Sequence, residues 1–68
     1  MDNRSQIYHH SQIALQQIEE LNKTLNIMST LVDHRSYCDD AINDSKTNLY
    51  LMRTRISVIS DINESLTI

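Results

Sequence analysis

Apolar residues recur along this chain in alternating steps of four and three. From Ile7 the steps run through Ala14, Ile18, Leu21, Leu25, Met28 and Val32, with Ser11 as a polar interruption. From Cys38 they run through Ile42, Leu49, Met52, Ile56, Ile59 and Leu66, interrupted by Ser45 and Asn63. A mean spacing of 3.5 residues keeps a stripe on one side of a helix, and strand-like alternation never persists beyond a few residues. The pattern predicts helices over about 4–32 and about 37–66, joined by a turn at 33–36, with the whole of 1–68 as a single helical-hairpin domain. The expected fold class is therefore all-α: an antiparallel two-helix hairpin of coiled-coil type, completed by oligomerisation or by a helical partner. Its seam is expected to hold Ile18, Leu21, Leu25, Met28, Ile42, Leu49 and Met52.

The turn is expected to be made by caps. Its segment, LVDHRSYCDD, contains neither glycine nor proline. Ser36 is placed to accept an early N–H of the second helix through its hydroxyl, and Asp39 and Asp40 suit the positive end of that helix dipole. His34 and Arg35 are expected to help satisfy the carbonyls that end the first helix. A tolerant residue such as Asp or His is expected to take the left-handed position that glycine fills elsewhere.

Composition sharpens this picture. Glycine and proline are absent from the whole sequence, where ordinary usage gives about eight in a chain of this length; sheets and Gly-rich loops are disfavoured accordingly. The net charge is −3 and the six Lys and Arg are scattered, which leaves no electrostatic footprint for nucleic acid or an anionic membrane. The polar opening MDNRSQ leads into no apolar core of a signal peptide, and no run of about 18 apolar residues is present. With a single cysteine, these features predict a cytoplasmic, reducing environment.

More apolar residues are present than one helix pair can cover. Ile13 and Ile27 lie away from the first seam, Leu15 and Leu31 flank it, and Leu51, Val58 and Ile62 form a second row on the other helix with Tyr50 beside it. The width of this arc predicts an obligate interface, with a second copy or with another protein.

Candidate chemistry is sparse. His9, His10, His34 and Cys38 are the available soft-metal ligands, in no zinc-binding spacing, and Cys38 on the seam reads as a small buried hydrophobe. Glu19-Glu20 and Asp39-Asp40 are sequence neighbours, which point to different sides of a helix rather than into a common pocket. Arg53 and Arg55 read as part of a solvated face. The expectation is a protein that is no enzyme and carries no cofactor, metal or catalytic site. Ser11, Ser45 and Asn63 are polar seam positions of the kind that fix register or partner choice, or are tolerated near helix ends.

Two stretches carry a resemblance: Asp33-His34-Arg35-Ser36-Tyr37 at the bend and the aliphatic run Ile56-Ser57-Val58-Ile59. With the length and acidic balance, they make the chain similar to the small two-helix cochaperones of type III secretion needle subunits (YscE-type). The resemblance implies a protein that binds and stabilises a helical-repeat chaperone, the pair holding a needle subunit monomeric before export. It places the partner-binding face on Tyr37 and the aliphatic positions of the second helix; the expected set is Tyr37, Leu51, Arg55, Ile56, Val58, Ile59 and Ile62. The alternative expectation is a homodimeric four-helix-bundle regulator or assembly protein, with RNA binding disfavoured by charge.

Overall fold

The structure, a computed structural model, describes residues 2–33 and 36–65. Helix α1 (Asn3–Leu31) and helix α2 (Tyr37–Ser65) are equal in length. They lie side by side in a rod of 51 × 16 × 11 Å, the all-α hairpin that the spacing predicts. The end of α2 is tied to the start of α1: the Asn63 side-chain amide donates to the Arg4 carbonyl at 2.9 Å. That bond fixes both the antiparallel sense and the register.

Each helix begins on a side-chain oxygen. The carboxylate of Asp2, whose backbone is extended, accepts from the Arg4 amide at 3.1 Å, and the Asp2 carbonyl accepts from the Gln6 amide. This cap supports α1 from its first turn and has the Asp-before-helix signature that sequence rules recognise. At the other end Val32 turns extended, with φ −104° and ψ 157°, and α1 stops.

Ser36 does what its position predicts: its hydroxyl oxygen accepts from the Asp39 amide at 3.3 Å. The same hydroxyl donates to the Asp33 carbonyl at 2.7 Å, so one side chain closes the turn and starts α2. Asp39 and Asp40 occupy the first turn of α2. No described residue has a positive φ. The expected contributions of His34 and Arg35 fall outside the described residues, as does Leu66 of the expected stripe.

Neither helix consists of strong helix formers, since Ser, Thr and Asn recur throughout. Several hydroxyls bond back to the carbonyl one turn earlier: Thr24 to Glu20, Ser45 to Ala41, Thr47 to Asn43 and Thr54 to Tyr50. Donors that compete with the helix elsewhere are thus absorbed within its own backbone.

The core is one row wide. Ile18 and Leu25 of α1 pack with Ile42 and Leu49 of α2, with Val32 and Ile56 against them. Ser11 and Asn63 continue the two rows and are buried as well. Every one of these positions is separated from the next by seven residues. The intervening heptad positions behave differently. Leu21, Met28 and Met52, expected in the seam, are 48%, 44% and 48% exposed, and Cys38, expected as a buried hydrophobe, is an exposed free thiol. A helix turns about 50° between the two kinds of heptad position, so a single neighbouring helix covers one row and leaves the other on its flank.

Three substitutions test this narrow core. Leu49→Ala is expected to destabilise the hairpin by about 2–3 kcal/mol in urea denaturation, because it empties a site held on only two sides. Tyr50→Ala, one residue along and exposed, is expected to stay within about 0.5 kcal/mol of the parent. Asn63→Ala removes the link between the helix ends and is expected to cost about 1 kcal/mol, with earlier amide hydrogen exchange confined to the Arg4 end of α1 and the Ser65 end of α2.

Candidate protein-docking surface

The hairpin has two broad faces of different chemistry. On one, an open groove runs between the helices past Ala14, Leu21, Met52 and Ile56, and its continuation past Ile7, Ile59 and Ile62 reaches the buried Asn63. Aliphatic residues that the core leaves uncovered, Ile7, Leu21, Met52, Ile59 and Ile62, thus come together from both helices on this side, whereas the exposed Tyr8 and Tyr50 border the other. Heptad steps flanking this groove add Leu31 on α1 and Ile62 on α2, and Arg55 is the one Lys, Arg, Asp or Glu in those flanking rows.

The opposite face is polar. There the groove between the helices is bordered by Glu19 and Asn22 of α1 and by Lys46, Tyr50 and Arg53 of α2. Near the tied ends it is bordered by Asp2, Arg4, Ser5, Tyr8 and Glu64. An exposed ion pair, Lys23 to Glu20 at 3.6 Å, stands on the outer surface of α1, where screening leaves it a minor contributor. The charged residues that border these grooves all lie on this face.

The expected partner-binding residues divide accordingly. Leu51, Val58, Ile59 and Ile62 are between 44% and 56% exposed, and the spacing of 51, 58 and 62 carries the apolar surface from the groove around the flank of α2. Arg55 is exposed at the border of that patch, whereas Ile56 is half-buried and packs on the core. Tyr37 is 92% exposed but begins α2, some 20 residues and roughly 30 Å from Ile59 at helical rise, so it is not brought together with the rest. The groove residues Ile7, Ala14, Leu21 and Met52 belong to this surface too. The signal for them was in the sequence: the alternate members of each 4-3 stripe form a row of their own.

The candidates for other chemistry stay dispersed. The His9 and His10 rings meet edge to face with centroids 5.5 Å apart, yet both side chains are exposed. Among the described residues no group of three or more His, Cys, Asp or Glu is placed to hold a metal ion, and His34 lies outside them. No enclosed side-chain nitrogen or oxygen among the described residues lacks a hydrogen-bond partner, so no buried polar group points to a missing ligand. Neither helix, over the described residues, is long and apolar enough to cross a membrane. Comparison with protein-family models, with curated proteins and with solved structures finds no match to this chain.

Proposed function

We propose that this protein is a docking subunit: a cytoplasmic helical hairpin that binds another helical protein and stabilises it, in the manner of the needle-subunit cochaperones it resembles at Asp33–Tyr37 and Ile56–Ile59. The observation that supports this reading is the segregation of the surface. Half-exposed aliphatic side chains from both helices line one groove with no charged residue, while Asp2, Glu19, Glu64, Lys46 and Arg53 border the other side. Water-exposed apolar area of that extent, rimmed by polar residues, marks a protein interaction site. Helices of a partner laid along the groove would bury Leu21, Met52 and Ile59, with Leu51, Val58 and Ile62 at the α2 border and Arg55 available to a carboxylate of the partner. In the cochaperone reading the partner is a helical-repeat chaperone and the complex shields a needle subunit before export.

A homodimeric regulator that binds RNA has less support. Lys46 and Arg53 share the polar face with Glu19, and the net charge is −3, so phosphate neutralisation finds no basic cluster.

Co-expression with helical-repeat proteins encoded beside its gene is expected to yield a stoichiometric complex that survives gel filtration. Val58→Asp and Ile59→Asp are expected to weaken that complex at least about 100-fold, since each sets a carboxylate in a desolvated apolar contact, while the helical circular dichroism of the hairpin is retained. Failure of every such neighbour to bind, at concentrations where the hairpin is folded, would remove the cochaperone reading.

A further inference from the structure

The same face has a width, a length and a relief that bear on what covers it. Rested on the docking reading above, these features point to a specific occupant. We infer that, in the absence of another partner, a second copy of this chain seats on the groove face, giving a two-fold symmetric four-helix bundle in which the alternate heptad row of each helix becomes core.

A lone helix laid in the groove would leave its flanks uncovered. A single helix is about 10 Å across with its side chains, whereas the Cα trace of the hairpin already measures 16 Å across and 51 Å along. Apolar side chains extend beyond the groove onto both flanks, through Leu31 on α1 and Ile62 on α2, both exposed. A second pair of helices of the same length matches that shape. A face of 51 × 16 Å in Cα outline has room for an interface of standard size, about 800 Å² per partner.

Relief favours a copy of itself. The bond from Asn63 to Arg4 sets the register, and to within one residue that offset places Ala14 level with Met52 and Leu21 level with Ser45. At each of these two central levels one helix offers a bulky side chain and the other a small one, and the bulky position changes helix between the levels. If the two-fold axis runs along the rod, Met52 lies over the partner's Ala14 and Leu21 over the partner's Ser45. If it runs across the rod, Leu21 lies over the partner's Ala14 and Met52 over the partner's Ser45. Either disposition sets large against small, the condition for interdigitated layers in a symmetric interface.

The groove that would pair is bordered by no charged residue. The excess negative charge would repel if it met itself, but Glu19 and Glu64 border the other face. Stacking through the groove therefore keeps those carboxylates on the outer surfaces of the bundle. Leu21, Met28 and Met52, which a lone hairpin leaves half-exposed on its flank, become part of the core in the dimer, and the interface competes directly with any hetero-partner for the same residues.

Sedimentation equilibrium of the purified full chain tests the inference. The expected result at micromolar concentration is twice the 7.9 kDa chain mass, with a melting midpoint that rises with protein concentration as a coupled dimer requires. Leu21→Asp is expected to raise the dimer dissociation constant at least about 100-fold, because a two-fold interface receives two carboxylates at its centre. Asn22→Asp, at the polar groove, is expected to leave it within about threefold. Should Leu21→Asp fail to fold, the concentration dependence of the wild-type melting midpoint decides alone. A wild-type mass of 7.9 kDa with a midpoint independent of concentration would overturn the second-copy assignment, and so would a dimer broken by Asn22→Asp but not by Leu21→Asp. These results are separable from the docking reading: a monomer that binds a helical-repeat protein refutes only the second copy, and a dimer that binds no such protein refutes only the cochaperone role.

Discussion

Two helices that meet along a line can each turn only one heptad row toward the other. In this hairpin that row is Ile18 and Leu25 against Ile42 and Leu49, with Val32 and Ile56 beside it. Everything else about the surface depends on this restriction. A sequence that places apolar residues at both heptad positions over more than three heptads, and then folds as a pair, must leave one of the two rows half in water. The pair disposes of that surplus by gathering it on one side, where Leu21 and Met52 border a common groove.

The polar members of the seam give this thin core its definition. An all-aliphatic row between two rods would pack almost equally well after sliding by a heptad, because the repeat itself is degenerate. Asn63 marks the observed alignment by reaching the Arg4 carbonyl near the start of α1, a bond that sliding would break. Buried polar groups in helical seams are best attested in this role, as selectors of alignment at some expense in stability. Ser36 has a comparable function at the other end, joining the Asp33 carbonyl to the Asp39 amide and so setting where α2 begins.

Much of the fold was legible in the residues, and the parts that were not have identifiable physical reasons. The 4-3 spacing carried the two helices, and the Ser36-to-Asp39 cap was readable because capping is local chemistry between residues three apart. Asp2 carried an equally plain signal at the start of α1. Leu21, Met28, Met52 and Cys38 were placed on the seam because a stripe of spacing 3.5 does not reveal how many helices it faces. Periodicity reports that a side chain avoids water; the number of neighbours that shield it is a tertiary property. For the same reason the aliphatic positions Leu51, Val58 and Ile62 could be recognised as surplus, whereas their continuity with Ile7 and Ala14 of the other helix depended on register. Tyr37 was attached to the partner-binding set through a sequence resemblance at the bend, and the length of α2 holds it far from the other members.

The seven-residue grid has a further consequence for how the chain tolerates insertions and deletions. One residue added within α1 rotates everything beyond it by about 100°, turning Ile18 or Leu25 out of the seam and bringing polar neighbours in. Seven residues removed from one helix alone preserve that helix's facing but strip the other of its opposite number. Only matched heptads, excised from both arms at the same level, shorten the rod while keeping its seam and its two unlike faces. Natural length variants of such a hairpin should therefore come in paired steps of about two helical turns, with the turn at Asp33–Ser36 untouched.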